Sequence, residues 1–219
     1  MTAQLAVFDL DGTLIDSRLD LAAAVNAMRA CYHLPPLELE TVTSFVGNGI
    51  RNLILRALAH HETIPIDDAI AKMKQYYNQH LTDYTTLYPG VQKGLKKLAE
   101  SSWYLAVVTN KDSDSAVRIL DKLGVKEFLS AIIGGTDQFP LKPAPDSLLS
   151  LCKRFTVRPG DAFMIGDHYT DLAAGKSAGM RGIFAAYGFG DPRGEPFEKR
   201  INSFCEFIDY VLPQEGDRK

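Results

Sequence analysis

The chain has 219 residues, 46% of them hydrophobic and 23% charged, and a formal net charge of −3. That length suits one main domain carrying a smaller insert, and the composition leaves little scope for wholesale disorder. Lysines and arginines are scattered rather than gathered into a stripe, so nothing draws a nucleic-acid backbone or an anionic membrane, and any bound anion must be held locally.

In chain order, residues 4–10 form a short apolar run closing on Asp9, Asp11 and Gly12, the pattern of a buried strand that delivers polar residues into a loop. From about residue 17 to residue 84 no strand pattern occurs, only helical spacing over residues 19–32, 49–60 and 67–84. Strand-like runs return after Pro89 and Gly90: residues 104–109 end in Thr109 and Asn110, residues 131–133 in Gly134 and Gly135, and residues 161–165 in Gly166 and Asp167. Helical spacing over 91–100, 113–123, 145–155 and 170–178 separates them, with Gly124 and Gly179 as helix stops.

This alternation predicts an α/β fold: a Rossmann-like parallel sheet core with helices on both faces and an inserted all-helical cap domain. Residues 1–16 and 85–219 make the core and 17–84 the cap, which leaves the sheet just after the first loop and should sit over the crevice as a lid. Residues 214–219 read as a polar tail that frays.

The three cysteines, Cys31, Cys152 and Cys205, lie far apart with no CxxC spacing and are expected to be buried thiols. The N-terminus lacks the pattern of a signal peptide, and no stretch approaches the about 20 apolar residues of a membrane span. A reducing cytoplasm fits best. Trp103, Met73, Tyr76 and Tyr77 read as core or cap packing, and the adjacent His60 and His61 face different directions on a helix, against a shared metal.

Two constellations carry chemistry. In Asp9-Leu10-Asp11-Gly12-Thr13-Leu14, two carboxylates leave a strand end together; one can attack phosphorus while the other gives a proton to the leaving group and later takes one from water. The same spacing also fits a polar turn. In Gly166-Asp167-His168-Tyr169-Thr170-Asp171, carboxylates four apart span a helix start, where they can ligate magnesium as hard oxygen donors or cap the helix. Thr109 and Asn110 can hold phosphate oxygens or simply form a turn, and Lys142, between Leu141 and Pro143, can neutralise phosphate or stay in water.

DLDGT, TN, KP and GDxxxD in this order, each at a strand end, together resemble the haloacid dehalogenase superfamily. Asp11 marks the phosphatase and phosphomutase branch, and the helical insert looks like that family's small cap. The likeness to the bacterial phosphoglycolate phosphatase group extends over nearly the whole chain, through FDLDGTLIDS, LAAAV, FVGNGI, LYPGV, VTNK, IIGG, KPAPD and AGKSAGM. It implies Asp9 as nucleophile, Asp11 as general acid/base, and Thr109, Asn110 and Lys142 around the transferring phosphoryl group. It further implies Mg2+ held by the Asp9 side chain, the Asp11 backbone carbonyl and Asp167, with Asp171 orienting the metal's waters or Lys142.

At the position after Asp167, where this family usually has Ser or Thr, the chain has His168, which either fills the hydroxyl's place in packing or hydrogen-bonds a phosphate or metal-bound water. In Gly47-Asn48-Gly49-Ile50-Arg51, a helix start near Asn48 and the Arg51 guanidinium can receive a substrate carboxylate; equally, Asn48 can cap the helix and Arg51 lie in water.

The resulting expectation is a magnesium-dependent phosphatase hydrolysing a small phosphomonoester, 2-phosphoglycolate for preference, through an aspartyl-phosphate on Asp9. A phosphomutase or pyrophosphatase is the alternative within enzymes, since the same motifs serve both, and a non-catalytic phospholigand-binding protein is the third. The expected partner is a small phosphorylated metabolite rather than nucleic acid or membrane, with the chain a monomer or homodimer.

Overall fold

Leu5, Ala6, Val7 and Phe8 are all fully shielded from solvent in the computed structural model, which describes residues 4–212. They belong to β1 (Gln4–Phe8), apolar from Leu5 onward because it runs through the middle of a parallel sheet covered on both faces. The sheet has six strands in the order β5–β4–β1–β6–β7–β8: β4 is Trp103–Val108, β5 Ala131–Ile133, β6 Ala162–Gly166, β7 Arg181–Ala185 and β8 Lys199–Ile201. The polar tail at 214–219 lies outside the described residues.

Alternate side chains enter opposite cores, as the pleat requires. Ala6 and Phe8 join Leu105, Val107, Phe163 and Ile165 against α5 (Val91–Ala99) and α9 (Phe204–Val211). Leu5 and Val7 join Ala106, Val108 and Met164 against α7 (Asp146–Phe155) and α8 (Tyr169–Ala178). On α5, Val91, Leu95 and Leu98 recur at helical spacing and are buried, which is why this segment folds as an amphipathic helix on the sheet. A further helix, α6 (Ser113–Lys122), follows β4 and buries Ala116, Ile119 and Leu120.

A two-stranded antiparallel ribbon, β2 (Ile15–Asp16) against β3 (Thr86–Leu87), brackets the stretch that breaks the alternation. Between its strands lie α1 (Arg18–Ala30), α2 (Leu39–Thr43), α3 (Ile50–Ala57) and α4 (Ile66–Tyr77), and no strand. Val25, Met28, Leu53, Ile54, Met73 and Tyr77 pack these helices together. Asp20, buried in the first turn of α1, accepts hydrogen bonds from the Tyr84 and Thr85 amides and the Thr85 hydroxyl at 2.7 to 3.2 Å, tying the two ends of the helical segment.

Several local expectations are corrected. Of the cysteines only Cys152 is buried; Cys31 follows the last turn of α1 and Cys205 lies in the first turn of α9, both exposed. The third helical stretch ends at Tyr77, because the chain beyond it turns back so that Tyr84 can reach Asp20. Strands β7 and β8 and helices α2 and α9 had no expected counterpart: β8 has three residues with only Ile201 buried, too short for any periodicity. No helix of the described residues is long and apolar enough to cross a membrane.

Candidate active site

Strand register brings the polar strand ends together. Phe8 pairs with both Val107 of β4 and Ile165 of β6, so Asp9, Thr109 and Asp167 leave the sheet within one residue step of the same level. The Asp9 amide still bonds the Ile165 carbonyl at 2.9 Å, which fixes the carboxylate at the mouth of the sheet. Directly afterwards the chain turns at Gly12, whose φ is +89°; a Cβ there would lie 2.0 Å from Asp167 Oδ2. Only glycine tolerates both the backbone and the approach.

Lys142 reaches this point from the loop between β5 and α7. Its Nζ lies 2.7 Å from Asp9 Oδ1, 2.7 Å from Asp171 Oδ1 and 2.6 Å from the Val108 carbonyl. The Asn110 side chain holds it there: Oδ1 accepts from the Lys142 amide at 2.9 Å, and Nδ2 donates to the Lys142 carbonyl at 3.0 Å and to the Gly47 carbonyl of the helical insert at 2.9 Å. Asn110 therefore positions two loops with its side chain. The Thr109 hydroxyl accepts from the Lys111 amide at 3.2 Å, which leaves its own proton to donate.

Asp167 is buried at the end of β6. Its Oδ2 accepts from the amides of Phe189 and Gly190 at 3.1 and 2.7 Å, and its Oδ1 from the Thr13 hydroxyl at 3.3 Å. Asp171 has both oxygens engaged, Oδ1 with Lys142 and Oδ2 with the His168 amide at 3.0 Å. The same aspartate thus caps α8 and orients Lys142. Asp9, Asp167 and Asp171 each offer one ligand oxygen within 4.8 Å of the others. Three buried carboxylates facing one ammonium form a hard oxygen set short of positive charge, which fits a divalent cation such as Mg2+.

The electrostatics agree. Burial raises the Asp9 pKa to about 6, with Lys142 opposing and Asp171 adding to the rise. Burial also lifts Asp167 well above the usual carboxylate range, and Asp9 and Asp171 push the same way. Burial works against the Lys142 ammonium, but Asp171 and Asp9 outweigh it and raise its pKa.

Asp11 points elsewhere. Its carboxylate is held by Lys111 Nζ at 2.8 and 3.0 Å and by the Ser17 hydroxyl, so only its backbone remains for a metal. Lys111 and Ser17 were not singled out from the sequence; a lysine two residues past the strand-end Thr109 was the available signal. His168 is the N-cap of α8, its Nδ1 2.9 Å from the Thr170 hydroxyl, while its ring meets Gly47. Burial lowers its pKa to about 4, so it packs as a neutral ring.

The structure does not bring Asn48 and Arg51 to the site as an anion receptor. Arg51 lies on the outer face of α3 and pairs with exposed Asp67 at 2.7 Å, because the helix starts at Ile50 and turns the guanidinium to solvent. Asn48 is not the cap of α3, which is Gly49; its Oδ1 instead accepts from the Tyr169 hydroxyl at 2.7 Å. A cavity of about 70 Å³ opens between Asp9 and the insert, lined on the sheet side by Asp11, Thr109, Asn110 and Lys111 and on the insert side by residues that include Val46, Ile50, Leu53, Met73 and Lys74.

Comparison with known proteins gives a consistent set of relatives. The family model described as haloacid dehalogenase-like hydrolase matches residues 6–185. The chain is 38% identical over 209 residues to a phosphoglycolate phosphatase of Chromobacterium violaceum, covering 93% of this chain and 94% of that one. To a phosphoglycolate phosphatase of Psychrobacter arcticus it is 36% identical over 97% of both chains. The crystal structure of a predicted phosphoglycolate phosphatase from Haemophilus somnus 129pt superposes with a TM-score of 0.88 at 29% identity, over 95% of this chain and 97% of that one.

Proposed function

The chain belongs to the haloacid dehalogenase-like hydrolases and is a phosphoric monoester hydrolase, and we propose that it is a magnesium-dependent phosphatase working through a phosphorylated Asp9. The substrate is a small phosphomonoester, 2-phosphoglycolate foremost, the compound for which relatives at 35 to 38% identity are named. The observation that carries the reading is the convergence of Asp9, Asp167 and Asp171 on Lys142 at the mouth of the sheet, beside a cavity.

Asp9 Oδ1 is held by Lys142, and Oδ2, which accepts no hydrogen bond among the described residues, is the oxygen that attacks phosphorus. The P–O bond to the leaving group breaks as the Asp9–phosphoryl bond forms, and Asp11 gives its proton to the departing oxygen. In the second half, Asp11 takes a proton from the water that attacks the phosphorylated Asp9, releasing phosphate and restoring the Asp9 carboxylate and the protonated Asp11. Lys142 and the Thr109 hydroxyl steady the phosphoryl oxygens, with the Asn110 side chain keeping Lys142 in place. Asp9, Asp167 and the Asp11 backbone carbonyl would hold Mg2+, with Asp171 behind Lys142; the ion supplies charge neutralisation between the Asp9 carboxylate and the incoming phosphate.

Residues 17–84 act as the cap over a catalytic core of 1–16 and 85–219, held down through Gly47 and Asn48. Three free cysteines suit a reducing cytoplasm. The test is phosphate release with and without Mg2+ over 2-phosphoglycolate, sugar phosphates, nucleotides and pyrophosphate. Magnesium-dependent release with a preference for 2-phosphoglycolate is expected. Phosphoryl transfer between positions of a sugar phosphate without release, or release from pyrophosphate alone, would replace this reading with a mutase or a pyrophosphatase.

A further inference from the structure

The cavity has two chemically different ends. Around Asp9 and Thr109 it is built for a phosphoryl group; toward the insert its walls are Val46, Ile50, Leu53 and Met73, and two ammonium groups face into it, Lys74 from the insert and Lys111 from the sheet side. The Lys111 side chain is only 6% exposed, with its Nζ 2.8 Å from Asp11 and 5.0 Å from the ring centre of Tyr77 on α4. An ammonium has three N–H donors; the two oxygens of Asp11 occupy at most two of them, and the third lies on the side of the Tyr77 hydroxyl, where a ligand oxygen would share it. Lys74 lies one helical turn before Tyr77 on the same face of α4 and takes part in no ion pair among the described residues. The remaining carboxylate of the lining, Asp112, caps α6 by accepting from the Ser115 amide at 3.2 Å.

Two ammonium groups among apolar walls select for charge. A neutral polar group entering there gives up water without a charged partner, whereas a carboxylate gains charge-assisted hydrogen bonds.

We propose that Lys111 and Lys74 are the specificity-determining residues of the leaving-group side, receiving the carboxylate of a small phosphorylated hydroxy acid. The proposal rests on the phosphatase reading above and gives it the receptor that Asn48 and Arg51 do not supply. Because Lys111 is shared between the ligand and Asp11, a bound carboxylate sits beside the group that protonates the leaving oxygen. Loss of the receptor therefore lowers kcat as well as raising KM.

Steady-state kinetics on 2-phosphoglycolate and 2-phosphoglycolamide, its isostere without the carboxylate charge, test this with wild type, Lys74→Met, Lys111→Met and Lys111→Arg. Each Met variant should lose about 10- to 100-fold in kcat/KM on the acid, the worth of a charged hydrogen bond, and several-fold less on the amide. Lys111→Arg should recover part of the preference for the acid. Lys74 lies on a helix surface, so its variant stays folded whatever becomes of Lys111→Met. Equal losses on both compounds, or none, would overturn the proposal while leaving the phosphatase reading intact. Magnesium-dependent release from neither compound by wild type would overturn this proposal and 2-phosphoglycolate as the substrate, and absence of release from the other phosphomonoesters of the panel as well would overturn the phosphatase reading.

Discussion

Lys142 Nζ donates to Asp9 Oδ1 at 2.7 Å, joining residues 133 positions apart in the chain. With Asp171 on its other side, it is the ammonium on which Asp9 and Asp171 converge, beside buried Asp167. Replacing it by Met keeps the length and removes the charge. Lys142→Met is expected to cost about 3–5 kcal/mol of stability in the absence of divalent cation, the range for breaking a buried pair, and to abolish turnover. Denaturant unfolding with and without Mg2+ checks this: part of the loss should return when the cation is added, since it supplies countercharge to the same carboxylates.

Asp9 should destabilise the metal-free protein at neutral pH. Its pKa rises from 3.8 to about 6 on folding, so the folded protein binds that proton more tightly than the unfolded chain does. The stabilisation from a protonated Asp9 is complete below pH 3.8 and lost as pH rises through 6. Asp9→Asn should therefore raise the metal-free Tm at pH 7.5, by on the order of 5 °C, with the gain shrinking steadily between pH 6 and pH 4. Thermal unfolding in chelator at several pH values measures it; a gain independent of pH would contradict the burial argument.

The side-chain hydrogen bonds that fasten the insert to the sheet domain include Tyr169 to Asn48, Asn110 to the Gly47 carbonyl and Arg118 to the Asn78 carbonyl, and the His168 ring rests on Gly47. Tyr169→Phe removes one fastening without touching the carboxylates. KM is expected to rise about 5-fold with kcat changed less, as loss of one hydrogen bond implies. His168→Ser keeps an N-cap for α8 but removes the ring, and is expected to raise KM in the same sense. If kcat fell and KM stayed fixed in both variants, these residues would act on chemistry rather than closure.

The parallel sheet was legible because a strand buried on both faces reads as an unbroken apolar run and then stops at polar residues, as at Phe8–Asp9 and Gly166–Asp167. Asp9, Lys142, Asp167 and Asp171 meet in one cluster because parallel strands in register end at one level, a consequence of topology that the motif order carries. Lys111 was not legible as a buried residue, since a lysine looks the same in a sequence whether its ammonium is in water or on Asp11. Arg51 misled for the converse reason: it follows a glycine turn beside the cavity, but the helical phase set by Ile50, Leu53 and Ile54 turns it outward. Cys31 is exposed because it follows the last turn of α1, and Cys205 because it lies off the face of α9 that buries Phe204, Phe207 and Ile208. Strands β7 and β8 escaped because Gly182 interrupts the first and the second buries one side chain.

The most direct measurement is acid quenching of wild-type protein during turnover of 2-phosphoglycolate with Mg2+, followed by peptide mass analysis. One phosphoryl group on the peptide containing Asp9, absent in Asp9→Asn together with turnover, is the expected result. Magnesium-dependent release that persists in Asp9→Asn, or a phosphoryl group carried on any other residue, would contradict the central claim that Asp9 is the nucleophile.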